Sequence, residues 1–326
     1  MRAALCRTYG GPEVVELADV PVPEVGAGQV RVRITVAALN FPDVLVVANQ
    51  YQMQAPTPFI PGSEFAGEVV ELGDGVTGFS VGDRVFGSTF IGAFAEEVTV
   101  GATSLTRSPP DVGDRVLAAF GVAYKTAYHV LRSVAALAPG EELIVLGAGG
   151  GVGSAAVQLG AVMGATVTAV ASTPEKLQAA KACGAERLIQ HGSGDLRQAL
   201  RDALPEGADV VIDPVGGDLA EPALRTLHYD GRFVTVGYAS GTIPRIPLNL
   251  VLLKGVHVLG FQFRDFAMHR GDEMVRNDAE LLGLLAEGKA EPLIGATFGL
   301  EEAAAALAYV AEGRAVGKVV LEVAPV

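Results

Sequence analysis

Leu143-Ile144-Val145-Leu146 runs directly into Gly147-Ala148-Gly149-Gly150-Gly151-Val152-Gly153, and an alanine-rich stretch with helical composition follows. An apolar strand, a glycine turn and a helix in this order are typical of a dinucleotide-binding domain. Gly150 would let the backbone approach a pyrophosphate, and Gly153 would let the helix pack closely on the strand. Ala148 stands where the first fingerprint glycine is usual, and no Lys-Ser or Lys-Thr of a Walker loop follows. The stretch therefore predicts nucleotide binding.

The pattern around this turn predicts a parallel sheet. From about Ala118 to about Gly260, apolar strands alternate with helical stretches, as in successive βαβ units. The predicted strands are Leu143–Leu146, Val167–Val170, Arg187–Gln190, Val210–Ile212, Phe233–Val236 and Val256–Leu259. The predicted helices between them include Gly153–Met163 and Glu175–Cys183, with Gly184 placed as a left-handed helix cap.

The first third of the chain has a different pattern. Val30–Val36 and Glu68–Leu72 alternate apolar and polar residues, and proline and glycine punctuate the segments between such runs. Short strands joined by turns of this kind predict a compact antiparallel barrel. Near the C-terminus, we expect a helix over Leu300–Ala311 and a closing strand over Lys318–Val323.

Composition and charge exclude several classes of protein. The chain has 326 residues, enough for about two domains at roughly 150 residues each. Half of its residues are hydrophobic and only 19% are charged, which excludes a disordered acidic protein. With 24 Lys and Arg against 37 Asp and Glu, the net charge is −13, which disfavours binding to nucleic acid or an anionic membrane.

Cysteine usage and the N-terminal residues predict a cytoplasmic protein. Met1–Glu16 contains no long apolar run, so we expect no signal peptide, and no stretch approaches the length of a membrane span. Cys6 and Cys183 are the only cysteines, which fits a reducing compartment. Metal-ligand spacings such as C-x-x-C are absent from the sequence, so we expect no protein-held zinc.

The end of the second strand bears on the choice of nucleotide. An NAD-binding domain usually places an acid there for the ribose hydroxyls, but this chain has Ala171. Ser172 follows with a hydroxyl, Lys176 lies one helical turn onward, and His191 follows the third strand. Without the acid that would repel a 2′-phosphate, these residues favour NADPH. The alternative for Lys176 is an ordinary solvated charge on a helix.

Further stretches carry a resemblance that spans essentially the whole chain. They are Asn40-Phe41-Pro42-Asp43, Phe59-Ile60-Pro61-Gly62-Ser63-Glu64-Phe65-Ala66-Gly67, Gly82-Asp83-Arg84-Val85, Thr126-Ala127-Tyr128, Asp213-Pro214-Val215-Gly216-Gly217 and Gly317-Lys318-Val319-Val320-Leu321. Together with the glycine turn, they resemble the zinc-free quinone oxidoreductase (zeta-crystallin-like) branch of the medium-chain dehydrogenase/reductase superfamily. The resemblance implies an α/β fold with a GroES-like β-barrel catalytic domain, residues 1–118 completed by 264–326. A Rossmann domain with a doubly wound parallel sheet, residues 119–263, would bind the cofactor.

The resemblance also implies what the site lacks. Zinc-dependent relatives place a Cys where Asn40 stands and a His where Ser63 stands, and the structural-zinc lobe is absent too. Such a site has no Lewis acid to polarise an alcohol or carbonyl oxygen. Quinones and conjugated enones suit it, because the charge that they accept with the hydride spreads onto oxygen without a metal.

The resemblance implies roles for individual residues. Asn40 would lie beside the nicotinamide, and Gly150, Gly151 and Val152 would hold the pyrophosphate. The other implied cofactor contacts are Thr126 near the ring end, Ser172, Lys176 and His191 at the adenosine phosphate, Gly237, Tyr238, Phe261 and Gln262 through backbone groups, and Lys318 in the closing motif. Leu45 replaces a tyrosine that many members carry. Tyr51 matches a second tyrosine of the family, and by this resemblance it is the candidate proton donor or substrate contact, or else a loop aromatic that closes the cleft.

The sequence thus predicts an NADPH-dependent quinone or enone reductase. Two alternatives remain open at this point, a reductase of acrylyl or enoyl thioesters and a nucleotide-binding crystallin or redox sensor with little turnover. We also expect a homodimer, because Val256–Phe261 is predicted as an apolar strand at the edge of the sheet, where pairing with a second copy satisfies both edges. The segment Arg264–Glu280 is the alternative cover for that edge.

Overall fold

The computed structural model describes residues 1–323 and divides into two compact units. The first comprises Met1–Val122 with Ile294–Val326, and the second comprises Ala123–Leu293. No helix among the described residues is long and apolar enough to cross a membrane.

Strands and helices follow one another along both units. The strands are β1 (Arg2–Cys6), β2 (Val15–Asp19), β3 (Gln29–Leu39), β4 (Glu64–Leu72), β5 (Arg84–Ser88), β6 (Glu97–Gly101), β7 (Leu105–Arg107), β8 (Glu142–Leu146), β9 (Thr166–Ala171), β10 (Arg187–Gln190), β11 (Ala208–Asp213), β12 (Leu227–Thr235), β13 (His257–Gly260), β14 (Ile294–Gly299) and β15 (Lys318–Glu322). The α-helices are α1 (Phe41–Val47), α2 (Asp114–Phe120), α3 (Ala123–His129), α4 (Gly151–Val162), α5 (Pro174–Ala182), α6 (Leu196–Ala203), α7 (Ala220–Thr226), α8 (Leu248–Lys254), α9 (Phe263–His269), α10 (Gly271–Ala286) and α11 (Ala303–Ala311). A π-helical turn, Val130–Val134, continues α3.

The first unit is built on a strongly paired β-sheet. Its strands are ordered β14-β15-β3-β4-β5-β7, and β6 pairs with the first half of β3. All of these pairs are antiparallel except β14 with β15, which is parallel. The alternation in Val30–Val36 places Val30, Val32, Ile34 and Val36 in the core, where each is fully buried. The antiparallel sheet predicted for this part of the chain is therefore present, with one parallel pair at its edge.

The second unit is a six-stranded parallel sheet in the order β10-β9-β8-β11-β12-β13. Numbered within the unit, this is the order 3-2-1-4-5-6 of a dinucleotide-binding Rossmann domain. Leu143, Ile144, Val145 and Leu146 of the central strand β8 are fully buried, as the uninterrupted apolar run predicts. The predicted elements are all present, although β12 begins at Leu227 rather than Phe233 and α4 begins at Gly151.

The observed division corrects the predicted domain boundaries. Residues 264–293, assigned from the sequence to the first domain, belong to the second unit, and the break falls after Val122 rather than residue 118. The cause is the packing of α10 on α3, where the Asn277 amide contacts the ring of His129 at 3.1 Å and Tyr128 donates to Glu280 at 2.7 Å. Residues 324–326, the end of the predicted first domain, lie outside the described residues.

Candidate functional site

The glycine turn after β8 allows the start of α4 to pack closely against the backbone of the turn. At Gly153, an added Cβ would lie 2.0 Å from the carbonyl oxygen of Gly147, so only glycine lets α4 begin this close to the strand. The N–H groups of Gly151 and Val152 open α4 and have no acceptor one turn before them in the helix. These amides and the helix dipole make the turn suitable for a pyrophosphate.

Lys176 is packed directly on this turn. An added Cβ at Gly149 would lie 2.4 Å from the Cβ of Lys176, so the absence of a side chain there makes space for the lysine. Thr173 caps the helix that carries Lys176, accepting from its backbone N–H at 3.3 Å. The Lys176 ammonium then donates to the Ser172 hydroxyl at 3.4 Å. The glycine turn and the predicted adenosine-phosphate residues are therefore neighbours.

His191 lies at the same corner, beside the Lys176 charge. Burial lowers the pKa of Lys176, and burial together with the Lys176 charge lowers the pKa of His191. No carboxylate stands at the end of β9, where Ala171 is buried. A phosphate dianion would pair with the Lys176 charge, whereas the ribose hydroxyls of NADH would give it no anionic partner.

The remaining cofactor residues predicted in the second unit lie at the same edge of its sheet. Because all six strands are parallel, the residues that follow each strand meet at the carboxyl edge, the usual position of a dinucleotide. Gly237 and Tyr238 follow β12, and Phe261 and Gln262 follow β13. The Gln262 side chain accepts from the backbone N–H of Asp265 at 2.6 Å and so caps α9. Its backbone carbonyl accepts from the N–H of Phe266 at 2.9 Å, which leaves its backbone N–H for a ligand.

Thr126 is positioned by an aromatic cluster that the sequence did not indicate. It lies on α3, one turn before the fully buried His129. The ring of His129 packs against Phe261, Phe263 and Phe266, with centroids 6.4, 5.6 and 4.9 Å away. This cluster fixes α3 against the loop that follows β13.

In the first unit, Asn40 is the centre of a buried polar network. It follows β3, and its side-chain Oδ1 accepts from the Lys318 ammonium at 2.7 Å. Its Nδ2 donates to Glu64 at 2.8 Å and to the Ser63 hydroxyl at 3.2 Å. A cation on one side and a carboxylate on the other determine which way the amide faces. Both amide hydrogens are engaged, so Asn40 has only the second lone pair of Oδ1 to offer a ligand.

Lys318 holds this network together. Its ammonium donates to the Leu39 carbonyl at 2.9 Å, to Asn40 and to Glu64, so its three N–H donors are all engaged. The second oxygen of Glu64 accepts from the backbone N–H of Val122 at 2.7 Å. The pairing of Val319 with Leu39 between β15 and β3 brings Lys318 to this place. The arrangement makes Lys318 a support for Asn40.

Asp43 adds a buried carboxyl behind the same network. Its Oδ2 accepts from the backbone N–H of Asn40 at 2.7 Å, and the Ser63 hydroxyl bonds to it as well. Burial raises the pKa of Asp43 to about 7, opposed by these two bonds and by the Lys318 charge, while Glu64 pushes it further up. Ser63 is half-buried and is the most exposed of these polar side chains.

Tyr51 lies apart from this network, in the turn region after α1. Its half-buried ring stacks on Phe90 at a centroid distance of 6.4 Å. Among residues 1–323, its hydroxyl forms no hydrogen bond, so it is available to a ligand.

Comparison with known proteins agrees with these features. A family model described as zinc-binding dehydrogenase matches residues 151–280, and one described as alcohol dehydrogenase GroES-like domain matches residues 26–110. Quinone oxidoreductase-like protein 2 of Bos taurus is 37% identical over 322 residues, covering 98% of this chain and 92% of the bovine one. The chain belongs to the quinone oxidoreductase branch of the medium-chain dehydrogenase/reductase superfamily. The resemblance stated from the sequence is thus confirmed.

Solved structures of this branch superpose closely on the chain. The quinone oxidoreductase of Pseudomonas syringae pv. Tomato DC3000 gives a TM-score of 0.91 at 31% identity and covers 99% of both chains. A mycobacterial protein solved in complex with NADPH gives a TM-score of 0.92 at 29% identity, covering 99% of this chain and 100% of that one. Membership identifies the protein as an enzyme of the medium-chain reductase type.

The residues at the positions of the zinc ligands do not suit zinc. Asn40 offers an amide and Ser63 a hydroxyl, whereas zinc sites use thiolates, imidazoles and carboxylates. The Lys318 ammonium also bonds to the Asn40 oxygen, so a cationic group already occupies the place beside it. Among residues 1–323, no group of three His, Cys, Asp or Glu side chains is arranged to hold a metal ion.

Proposed function

We propose that the protein is an NADPH-dependent reductase of quinones or conjugated enones that works without a metal ion. The observation that carries this proposal is a pair of neutral side chains, Asn40 and Ser63, which are hydrogen-bonded to each other. Lys318 and Glu64 hold the Asn40 amide in place. An amide and a hydroxyl do not supply a Lewis acid. The substrate of such a site must therefore already be electrophilic at the carbon that accepts hydride. Bound NADPH supplies that hydride.

The preference for NADPH rests on the corner formed by Ser172, Lys176 and His191. The lysine and the hydroxyl are within hydrogen-bonding distance of each other, and the charge of Lys176 acts on His191. In the proposed complex they hold the 2′-phosphate, while Gly150, Gly151 and Val152 hold the pyrophosphate through backbone amides. Thr126, together with the backbone groups of Gly237, Tyr238, Phe261 and Gln262, is proposed to orient the nicotinamide.

From the first unit, Asn40 and Tyr51 are the proposed contacts of the nicotinamide and the substrate. Asn40 acts as an acceptor through Oδ1, because both hydrogens of its amide are engaged. Lys318, predicted from the sequence as a cofactor contact, is proposed instead to position Asn40. The Tyr51 hydroxyl is the proposed substrate contact or proton donor.

Steady-state oxidation of NADPH with a quinone, an alkenal and an acyl-CoA enoyl thioester tests the proposed activity. We expect turnover with the quinone or the alkenal and a much lower kcat/KM with the thioester. Preference for the thioester would establish the alternative of an enoyl-thioester reductase. Tight NADPH binding without turnover of any acceptor would establish a nucleotide-binding sensor or crystallin and reject the reductase.

We also propose that the protein forms a homodimer through β13. This strand is the edge of the sheet, and Val258 on it is 46% exposed. Nearby on α8, Leu252 and Leu253 are 81% and 76% exposed, which adds an apolar surface beside the edge. A second copy would cover this surface and pair the free strand edges. The cytoplasm remains the proposed location, supported by two free, buried cysteines.

A further inference from the structure

A cavity of about 280 Å³ lies in the second unit, at the amino edge of its sheet. Its walls are α6, the segment before β11, the junction of α7 with β12, and the last residue of α8. Because the strands are parallel, this edge is opposite to the one where the glycine turn follows β8. The cavity is therefore separate from the proposed cofactor site.

The lining of this cavity is strongly cationic. Arg197 and Arg201 enter from α6, where their spacing of four residues places them on one face. Arg225 lies in the last turn of α7, and Lys254 is the last residue of α8. Of the described residues that line the cavity, Glu206 is the only one with a carboxylate. Four cations against one carboxylate are notable in a chain whose net charge is −13.

Within the described part of the chain, most of these cations have no counter-ion. Arg225 pairs with Glu221 at 2.7 Å. For the side chains of Arg197, Arg201 and Lys254, residues 1–323 supply neither an ion pair nor a hydrogen bond. Burial lowers the pKa of Lys254, and the charges of Arg225 and Arg197 lower it further, as expected where like charges face one another.

His228 also lines the cavity, with both of its ring nitrogens engaged within the protein. Its Nε2 lies 2.7 Å from Asp209, and its Nδ1 lies 2.6 Å from the carbonyl of Tyr229. The contact with that carbonyl, followed by the Asp209 carboxylate, raises the pKa of His228. The ring therefore keeps its proton at a higher pH than an ordinary histidine does.

We propose that this cavity is a second anion site, which binds a small, multiply charged phosphate such as pyrophosphate. Two guanidinium groups on one helix face can each donate a pair of parallel hydrogen bonds to phosphate oxygens, and Lys254 adds a point charge. The volume lies just below the range typical of drug-sized ligands, which fits a compact anion better than a whole nucleotide. Binding would relieve the repulsion among the unpaired cations.

Calorimetric titration of pyrophosphate into the NADPH-saturated protein at low salt tests this proposal. We expect one bound equivalent, with affinity at least tenfold weaker in Arg201→Glu and in Lys254→Gln. Lys181→Glu on α5 makes the same change in net charge as Arg201→Glu but lies outside the cavity lining, so its affinity should match the wild type. The Kd for NADPH should be unchanged in all three variants.

Three results would overturn the proposal. They are the absence of pyrophosphate binding, an equal loss of affinity in Lys181→Glu, and binding of citrate as tight as that of pyrophosphate, since the last would show a general response to anions. The difference between Arg201→Glu and the wild type reports on the cavity alone. It is therefore informative whether or not the proposed reductase activity is found.

Discussion

Lys318 and Glu64 form an ion pair from which water is almost completely excluded, with side-chain exposures of 3% and 1%. The two residues are 254 positions apart in the chain and meet because β15 pairs with β3, which in turn pairs with β4. Both also bond to the Asn40 amide, on opposite sides of it. The pair therefore links the closing strand of the chain to the residue proposed to meet the nicotinamide.

Breaking this pair should destabilise the protein strongly. Removal of one partner leaves the other charge buried and uncompensated, which costs about 3–5 kcal/mol. Lys318→Met and Glu64→Gln should each lower the free energy of unfolding in urea by such an amount, and the double variant by less than the sum. Arg115→Met is the control, because its pair with Glu322 is exposed and should contribute less than about 1 kcal/mol. Additive losses in the double variant would contradict the coupling.

The sequence predicted the glycine turn and Asn40 because local order along the chain determines both. A strand, a glycine turn and a helix are adjacent in sequence, so Gly150 and Gly153 are recognisable without any tertiary contact. Glu64 and Asp43 stand inside stretches that carried the resemblance, yet no role could be assigned to them. Their function depends on pairing with Lys318 and on burial, and neither is encoded locally.

The predicted domain boundary failed for a related reason. The helical potential of Arg264–Glu280 was visible, but an amphipathic helix does not specify which neighbour it packs against. That choice is made by contacts such as those of Asn277 with His129 and Ser133, which are 148 and 144 residues away. The buried surroundings of His129, which include the Asp278 carboxylate at 3.3 Å, left no pattern in the sequence.

Lys176→Ala should change the choice of cofactor. The substitution removes a charge-assisted contact with the 2′-phosphate, worth about 1.5–3 kcal/mol, so the KM for NADPH should rise at least tenfold. The KM for NADH, which has no such phosphate, should stay within about twofold of the wild type. Lys181→Ala at the other end of α5 is the matched control. An equal rise in both constants would mean that Lys176 is a solvated helix charge after all.

The stability of the protein should depend on Asp43 between about pH 4 and pH 7. Its pKa is about 7 in the folded protein and ordinarily 3.8, so the folded state retains a proton that the unfolded chain releases in this window. Stability from this group is thus greatest below pH 3.8 and is lost as the pH rises through 7. At about 1.4 kcal/mol per pKa unit, the upper limit is on the order of 4 kcal/mol.

Urea unfolding at pH 5 and pH 8 measures this dependence. Asp43→Asn keeps an acceptor for the Asn40 N–H but cannot ionise, so its difference in stability between the two pH values should be smaller than that of the wild type. Asp111→Asn changes an exposed carboxyl and should leave the difference unaltered. If Asp43→Asn retained the full dependence on pH, another buried group would be responsible.

Chelation should leave the enzyme intact. Because Asn40 and Ser63 offer no thiolate or imidazole, prolonged treatment with EDTA and 1,10-phenanthroline should change neither the activity nor the Tm. Metal analysis by mass spectrometry of the purified protein provides an independent measurement. A stoichiometric zinc whose removal lowers activity would refute the proposal of metal-free reduction.

Assembly can be tested at the free edge of the sheet. In light scattering at micromolar concentration, the wild type should show twice the mass of the chain, because pairing of β13 with its copy satisfies unpaired backbone groups. Val258→Pro removes a strand donor and should yield monomers. Because proline in a strand can also prevent folding, a second route to monomers is Leu252→Glu with Leu253→Glu, which places charges on the exposed face of α8. Val81→Glu, at an exposed apolar position in the first unit, is the control and should remain dimeric.

A wild-type monomer at this concentration would reject the edge-strand interface. A dimer that survives both sets of substitutions with its circular dichroism unchanged would reject it as well.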